Sequence, residues 1–418
     1  MGTALFQLIF LSGTVYFTLD PILWTEVILI FLGLPIAVWI IKKFSARFLS
    51  PALASYFLLI LLPFAFTFFD HMQARFALIP TYIMTAGNAL GSSPFVGLAS
   101  AGGLIALSFF VAIINMLITT IILQRKNRRN IISLTIAIVL LLFSAWIFSG
   151  LELRKNSFAY DNLANSFTVA VVSTNNTLSS DSFAELAQKL KSRKTDLVVF
   201  PEDIFDRQTS SLVFQNVAKD LNANVLAAYD TFQNENTLKY NSAILFDNQG
   251  NIAGIHNKNR LTFMGEYWPL GNWRPSFYLW LRGKMPQTAD YAIFSQENAY
   301  KPGQRNLLSA NFSSGQVLFA APICLEIQYP GDLEKYKNSG ARFIINESSN
   351  RWVGLGTNHF IYLTNNLRKI EAVWLDLPII SSGVKDFAGI ILPNGQNNSI
   401  DYENNIKNYS IYFGEVKY

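Results

Sequence analysis

The chain has 418 residues, 51% of them hydrophobic and only 15% charged, which is too apolar for an ordinary water-soluble protein of this length. The net charge of +5 is mild and its basic clusters lie beside apolar stretches, so they read as lipid-headgroup contacts and not as a nucleic-acid surface. One cysteine excludes an intramolecular disulfide. The histidines His71, His256 and His359 are too scattered for a metal site, and no metal or cofactor is expected.

In chain order, residues 1–19 carry no charge, 21–41 carry only Glu26, and 48–69, 76–124 and 131–150 carry none. A single crossing needs about 20 apolar residues. Residues 76–97 hold Pro80, Asn88, Gly91, Ser92, Ser93 and Pro94, which predicts an interfacial or re-entrant loop, because backbone groups unpaired in lipid are costly. Residues 98–124 then form a tilted span, for a total of about five. Residues 1–19 lack a basic leader and a small-residue cleavage site, so they read as an uncleaved anchor. Lys42, Lys43, Arg47, Arg125, Lys126, Arg128 and Arg129 fall on one side of these spans; Arg75, Arg154 and Lys155 fall on the other. The positive-inside rule makes the first side cytoplasmic and puts everything after residue 155 outside the cytoplasm.

Beyond Lys155 the pattern becomes short apolar runs separated by amphipathic segments. Strands are expected at 167–173, 196–200, 224–229, 242–246, 316–323, 342–345, 378–381 and 389–392. Helices are expected near 181–193, 209–221 and 357–375, with Asp181 and Ser210 as N-caps. The expected organisation is therefore a transmembrane helical bundle, residues 1–155, followed by an α/β domain, residues 156–418.

Three strand ends carry reactive side chains. Asp196-Leu-Val-Val-Phe-Pro-Glu202 delivers a carboxylate after a proline stop. A hairpin-like pair that begins at Tyr240-Asn-Ser ends on Lys258 and is followed by Gly265-Glu266-Tyr267-Trp268. Val317-Leu-Phe-Ala-Ala-Pro-Ile-Cys324-Leu-Glu326 ends on the only thiol. Each alone is weak, since a lone cysteine is more often a small buried hydrophobe.

In this order and spacing, however, Glu202, Lys258 and Cys324 resemble the Glu-Lys-Cys triad of the nitrilase superfamily. More narrowly the chain resembles the apolipoprotein N-acyltransferases. The stretches that carry the resemblance are Asn257-Lys-Asn-Arg-Leu-Thr-Phe-Met-Gly-Glu-Tyr-Trp-Pro269, Ile323-Cys-Leu-Glu-Ile327, Gly340-Ala-Arg-Phe-Ile-Ile-Asn-Glu-Ser348, Trp352-Val-Gly354 and, in the apolar part, Pro94-Phe-Val-Gly-Leu-Ala-Ser-Ala-Gly-Gly.

The resemblance implies an αββα sandwich on a membrane bundle of a bacterial inner membrane, with the catalytic domain on the extracytoplasmic face. It implies a phospholipid as acyl donor, an apolipoprotein as acceptor and a Cys324 thioester between them. Glu202 would be the base, while Lys258 and the Leu325 N–H are suited to hold the oxyanion. Glu266 and Glu326 would orient Lys258 or the incoming amine, and Tyr267, Trp268 and Trp352 would line the substrate path. The chain departs from the family pattern at Leu325, where tyrosine is usual, and at Ser348-Ser-Asn-Arg-Trp-Val-Gly354, where Ser-Asn-Asp-Ala-Trp-Phe-Gly is usual. A membrane-tethered amidohydrolase using the same triad is the alternative, and a Cys324–His359 dyad is a lesser one.

Overall fold

The structure is a computed structural model that describes residues 51–76, 82–205, 211–233, 238–263, 265–273, 299–351, 357–398, 401–405 and 408–418, with residues 39, 43, 295 and 297. The expected spans at 1–19 and 21–41, Glu26 and the Ser210 cap lie outside the described residues, apart from Trp39 in the second span. Two compact units result: one holds the residues up to Phe158 with Gly354–Asp376 and Pro393–Gly395, the other Ala159–Val353, Leu377–Leu392 and Gln396–Tyr418.

The first unit is helical: α1 (Pro51–Phe76), α2 (Gly103–Leu123), α3 (Arg128–Asp161) and α7 (Thr357–Leu375). Among the described residues, α2 and α3 are long and apolar enough to cross a membrane. At 34 residues, α3 extends about 51 Å at 1.5 Å per residue, more than a hydrocarbon core of about 30 Å. It leaves Ile132, Ile136, Val139, Leu140, Phe143, Trp146 and Leu151 exposed, a surface suited to lipid and not to water.

Residues 82–101 are not a helix but three short 3₁₀ turns, and side chains of the helices satisfy their backbone. Asp70 accepts from the Ala86 N–H at 3.1 Å and from Ser108 Oγ at 2.8 Å. Ser149 Oγ accepts from the Gly97 N–H at 2.9 Å and donates to Pro94 O at 2.7 Å. Asn88 donates to Ile83 O and Leu363 O. A Cβ at Gly97 would strike the Ser149 backbone, so glycine permits this close approach. Irregular backbone walled by protein in this way is what an apolar surrounding tolerates.

The second unit is α/β. Its strands are β1 (Ser166–Thr174), β2 (Leu197–Val199), β3 (Asn224–Gln233), β4 (Leu238–Phe246), β5 (Ile252–Asn257), β6 (Leu308–Phe312), β7 (Gly315–Phe319), β8 (Ile344–Ser349), β9 (Ile379–Val384), β10 (Gly389–Ile391), β11 (Asp401–Asn405) and β12 (Tyr409–Lys417). Its helices are α4 (Ser180–Leu190), α5 (Ser211–Leu221) and α6 (Pro330–Asn338). β1, β2 and β3 run parallel through the crossovers α4 and α5, then β3, β4 and β5 continue antiparallel. β12 closes the other side of β1, antiparallel over its full length from Ser166↔Lys417 to Thr174↔Tyr409. β8, β9 and β10 form a second section that joins β1 only at Ser173 and Thr174.

Alternation of side chains along these strands explains the layering. Val172, Val198, Phe200, Val225, Ala227, Ile244 and Phe413 meet Phe183, Leu186, Leu190, Phe214 and Val217 of α4 and α5. On β1, Phe167 stacks on Phe312 at 4.2 Å between ring centroids and also meets Phe343 at 4.9 Å. α4 is capped by Ser179, whose Oγ accepts from the Ser182 N–H; the cap is thus two residues earlier than the expected Asp181. β6, β11 and β12 have no counterpart among the strands expected from sequence, whereas α7, expected within the α/β domain, packs with the 3₁₀ turns and α2 of the helical unit.

Candidate active site

Glu202 lies just past β2, after Phe200 and Pro201, and the backbone is pinned there by bonds from the Phe200 N–H to Leu226 O and from the Asp203 N–H to Ala228 O. Lys258 directly follows β5, with its N–H on Asn241 O and its own carbonyl taken by the Gly303 N–H. A Cβ at Gly303 would strike Asn257 O, so only glycine lets that segment pass so close. Cys324 opens a 3₁₀ turn, Cys324–Gln328, right after Ile323, which bridges to Glu347 of β8. Its φ of 52° lies in the left-handed region that a non-glycine residue occupies only when its surroundings impose it. Asn346 imposes it from β8, donating to Pro322 O at 2.9 Å and Cys324 O at 3.2 Å.

The three side chains converge. Glu202 is 5% exposed, Lys258 1% and Cys324 8%, so their charges act in a medium that screens them poorly. The Lys258 ammonium lies 2.8 Å from Glu266 Oε1 and 3.5 Å from Glu202 Oε1. Glu202 is hydrogen-bonded by Cys324, and the Cys324 sulfur by the Ser349 backbone. Burial pushes the Glu202 carboxyl above its usual range, against the pull of Lys258 and with the push of Glu266. Burial also pushes the Cys324 thiol well up, and the Glu202 charge adds to this. Burial alone would lower Lys258, but Glu266, Glu202 and Cys324 outweigh it and hold its ammonium well above the ordinary lysine range. The resting site is therefore a protonated thiol beside a carboxyl base and a fixed cation. Such an array can move the thiol proton as the sulfur attacks a carbonyl.

The remaining expected residues fall in different places. Glu266 holds Lys258 directly, and its second oxygen accepts from the Thr262 N–H at 2.6 Å. Glu326 is engaged elsewhere: it accepts from the N–H groups of Ile323, Asn259 and Arg260 at 2.8, 2.7 and 3.1 Å and pairs with His256 Nε2 at 3.0 Å. It thereby ties the turn bearing Cys324 to the segment after Lys258, and these partners hold its carboxyl low in spite of burial. The Leu325 amide directly follows Cys324 in the 3₁₀ turn, and the Leu325 side chain is buried. Tyr267 packs edge-on to Phe263. Trp268 is only 3% exposed, stacks on Phe263 and donates to Trp273 O at 2.9 Å, an anchor for its own segment. Trp352 lies outside the described residues. His359 belongs to the helical unit.

Residues 169–372 match the family model described as carbon-nitrogen hydrolase. The match takes in just under half of the chain. It is similar to an apolipoprotein N-acyltransferase of Bradyrhizobium diazoefficiens, 22% identical over 170 residues, which are 38% of this chain and span 27% of that relative's length. Among solved structures it is similar to a nitrilase-superfamily member of branch 10 from Saccharomyces cerevisiae, at 16% identity and TM-score 0.41, with 61% of this chain and 91% of that chain covered. An amidase from Nesterenkonia sp. gives 12% identity and TM-score 0.41, with 61% and 93% covered. A carbon-nitrogen hydrolase from Helicobacter pylori gives 14% and 0.41, with 60% and 89% covered.

Two members of this site were not singled out from sequence. Asn241, on β4, donates to Glu202 Oε1 at 2.7 Å and to Glu266 Oε1 at 2.9 Å, so one side-chain amide spans both carboxylates that flank Lys258. His256 supports Glu326 from β5. The available signal was polarity at inward strand positions, and it is plainest in β8, where Asn346, Glu347, Ser348 and Ser349 are all buried. Hydrogen bonds to charged groups are worth about 1.5–3 kcal/mol, so, if Cys324 is acylated as the resemblance implies, Asn241→Leu should lower that rate by roughly ten- to a hundredfold. Single-turnover intact mass at matched protein stability checks this.

Proposed function

We propose that this chain is an N-acyltransferase that takes an acyl group from a phospholipid, holds it as a thioester on Cys324, and delivers it to the N-terminal amine of a diacylglyceryl-cysteine lipoprotein. The observation that carries the reading is the convergence of Glu202, Lys258 and Cys324 in one buried site, in a chain that also has the lipid-suited helices α2 and α3. The similarity to an apolipoprotein N-acyltransferase supports it.

In the first half-reaction Glu202 takes the thiol proton as Cys324 sulfur attacks the ester carbonyl. The Lys258 ammonium and the Leu325 N–H face the oxyanion. The tetrahedral intermediate collapses, the C–O ester bond breaks, and Glu202 returns the proton to the departing lysophospholipid hydroxyl. In the second half-reaction the amine nitrogen attacks the thioester, the C–S bond breaks, and the sulfur is reprotonated through Glu202. In this reading the enzyme is a multi-pass protein of a bacterial inner membrane, with the hydrolase-family domain on the extracytoplasmic face.

The test is intact mass after incubation with phospholipid. Wild type should gain one fatty-acyl increment that Cys324→Ala lacks, and a diacylated lipopeptide should discharge it. An unmodified Cys324 in several lipids, together with hydrolysis of simple amides, would establish the tethered amidohydrolase in its place.

A further inference from the structure

The two half-reactions differ in their proton count. Acylation only relays one proton, from the thiol to the departing alcohol. A primary α-amine, with a pKa near 8, arrives at neutral pH mostly as an ammonium. For each amide formed it loses two protons: one restores the Cys324 thiol through Glu202, and the other has to leave the site. Glu202, almost wholly buried and already relaying the first, cannot also take the second.

Asp203 is the next residue. Its φ of 56° lies in the left-handed region, and its N–H is bonded to Ala228 O. Its side chain is 40% exposed, against 6% for Glu202. Resting on the proposed N-acyl transfer, the geometry points to Asp203 as the base that takes the first proton of the acceptor's ammonium and passes it to solvent, which makes a cationic primary amine the acceptor class of this site.

The surroundings suit that task. Four charged groups face Asp203: Glu202 from the same turn, Asp230 from β3, Lys258 from beyond β5 and Arg351 from beyond β8. Arg351 lies at 4.0 Å, a loose pairing of two partly exposed side chains that an arriving ammonium can replace. Asp230 is itself held by Lys239 at 3.0 Å and by the Tyr300 hydroxyl at 2.8 Å. Loss of hydration, limited by the 40% exposure of the side chain, and then the charges of Glu202 and Asp230 push the Asp203 carboxyl up, against Arg351 and Lys258. A carboxylate raised in this direction and open to solvent can accept a proton from the ammonium and release it to water.

The experiment uses the full chain in phospholipid, loaded as the acyl-enzyme and then mixed with a diacylated lipopeptide, for wild type, Asp203→Asn and Asp203→Glu. Asp203→Asn should load Cys324 at the wild-type rate yet discharge it about tenfold or more slowly near pH 6.5, and the deficit should close toward about pH 9, where the amine is already neutral. Asp203→Glu should discharge faster than Asp203→Asn, including if the latter is less stable. Equal discharge by wild type and Asp203→Asn across the range, a deficit that ignores pH, or no rescue by glutamate overturns the assignment. A wild type that loads no acyl group overturns the transfer reading itself, and the role of Asp203 with it.

Discussion

Lys258→Met should abolish measurable turnover and weaken the fold at the same time. The ammonium is the cation that the structure places against both Glu202 and Glu266; it and Glu202 are buried, and the Glu266 side chain is only 12% exposed. Removing it takes away the charge proposed to face the oxyanion, an effect of about 10²–10³ in rate by itself. It also leaves two buried carboxylates uncompensated, which costs about 3–5 kcal/mol when one partner of a buried pair is deleted. The sign of the pH dependence follows. Because the folded protein holds Lys258 well above its ordinary range, its stabilisation is present throughout neutral pH and is lost only as pH rises through that raised value. In the variant the penalty belongs to the carboxylates, so it shrinks as pH falls and they become neutral. Thermal melts of both proteins from acid to neutral pH check this: the gap should narrow on the acid side. A gap independent of pH would mean that Lys258 acts through packing alone.

Glu202→Gln should leave the fold intact and slow acylation of Cys324 by about 10²–10⁴, the usual contribution of a positioned general base. Glutamine can still face the Asn241 and Lys258 nitrogens through its carbonyl oxygen, but it cannot take the thiol proton. The thiol is pushed well up by burial, so hardly any thiolate exists without that base. In wild type the acid limb of the rate of acylation reports Glu202 becoming neutral, and burial sets that limb above the ordinary carboxylate range. The limb should vanish in Glu202→Gln. Its survival at the same pH would assign it to another group, with Glu347, likewise buried and pushed well up, as the first to examine.

The parts of the site legible in the sequence are those that sit where strands stop. β2 ends before Pro201 and Glu202, β5 ends before Lys258, and Cys324 follows an apolar run, so an abrupt change from apolar to reactive marks each of them. Asn241 and His256 lie inside strands, where one polar residue among apolar ones reads as ordinary alternation; only the three-dimensional pairing shows whose proton or charge they serve. Glu326 shows the limit of proximity in sequence. Two residues from the nucleophile, it reads as part of the chemistry, yet its oxygens are taken by three backbone amides and His256. Periodicity also says that the helix at 357–375 buries one face, but not against what, and β12 finds its partner across almost the whole domain, a distance that no local pattern encodes.

That last pairing sets an order of events during synthesis. β1 is the centre of the sheet, yet its side facing β12 stays open until Tyr409–Lys417 has been made, on the order of 250 residues later. Until then β1 exposes a row of unpaired amides and carbonyls beside the parallel strand that leads to Glu202, a template for pairing with the wrong chain. The thiol of Cys324 is translated well before the strand that completes the sheet carrying its base. A nascent chain therefore holds Cys324 before the sheet that positions Glu202 has been closed.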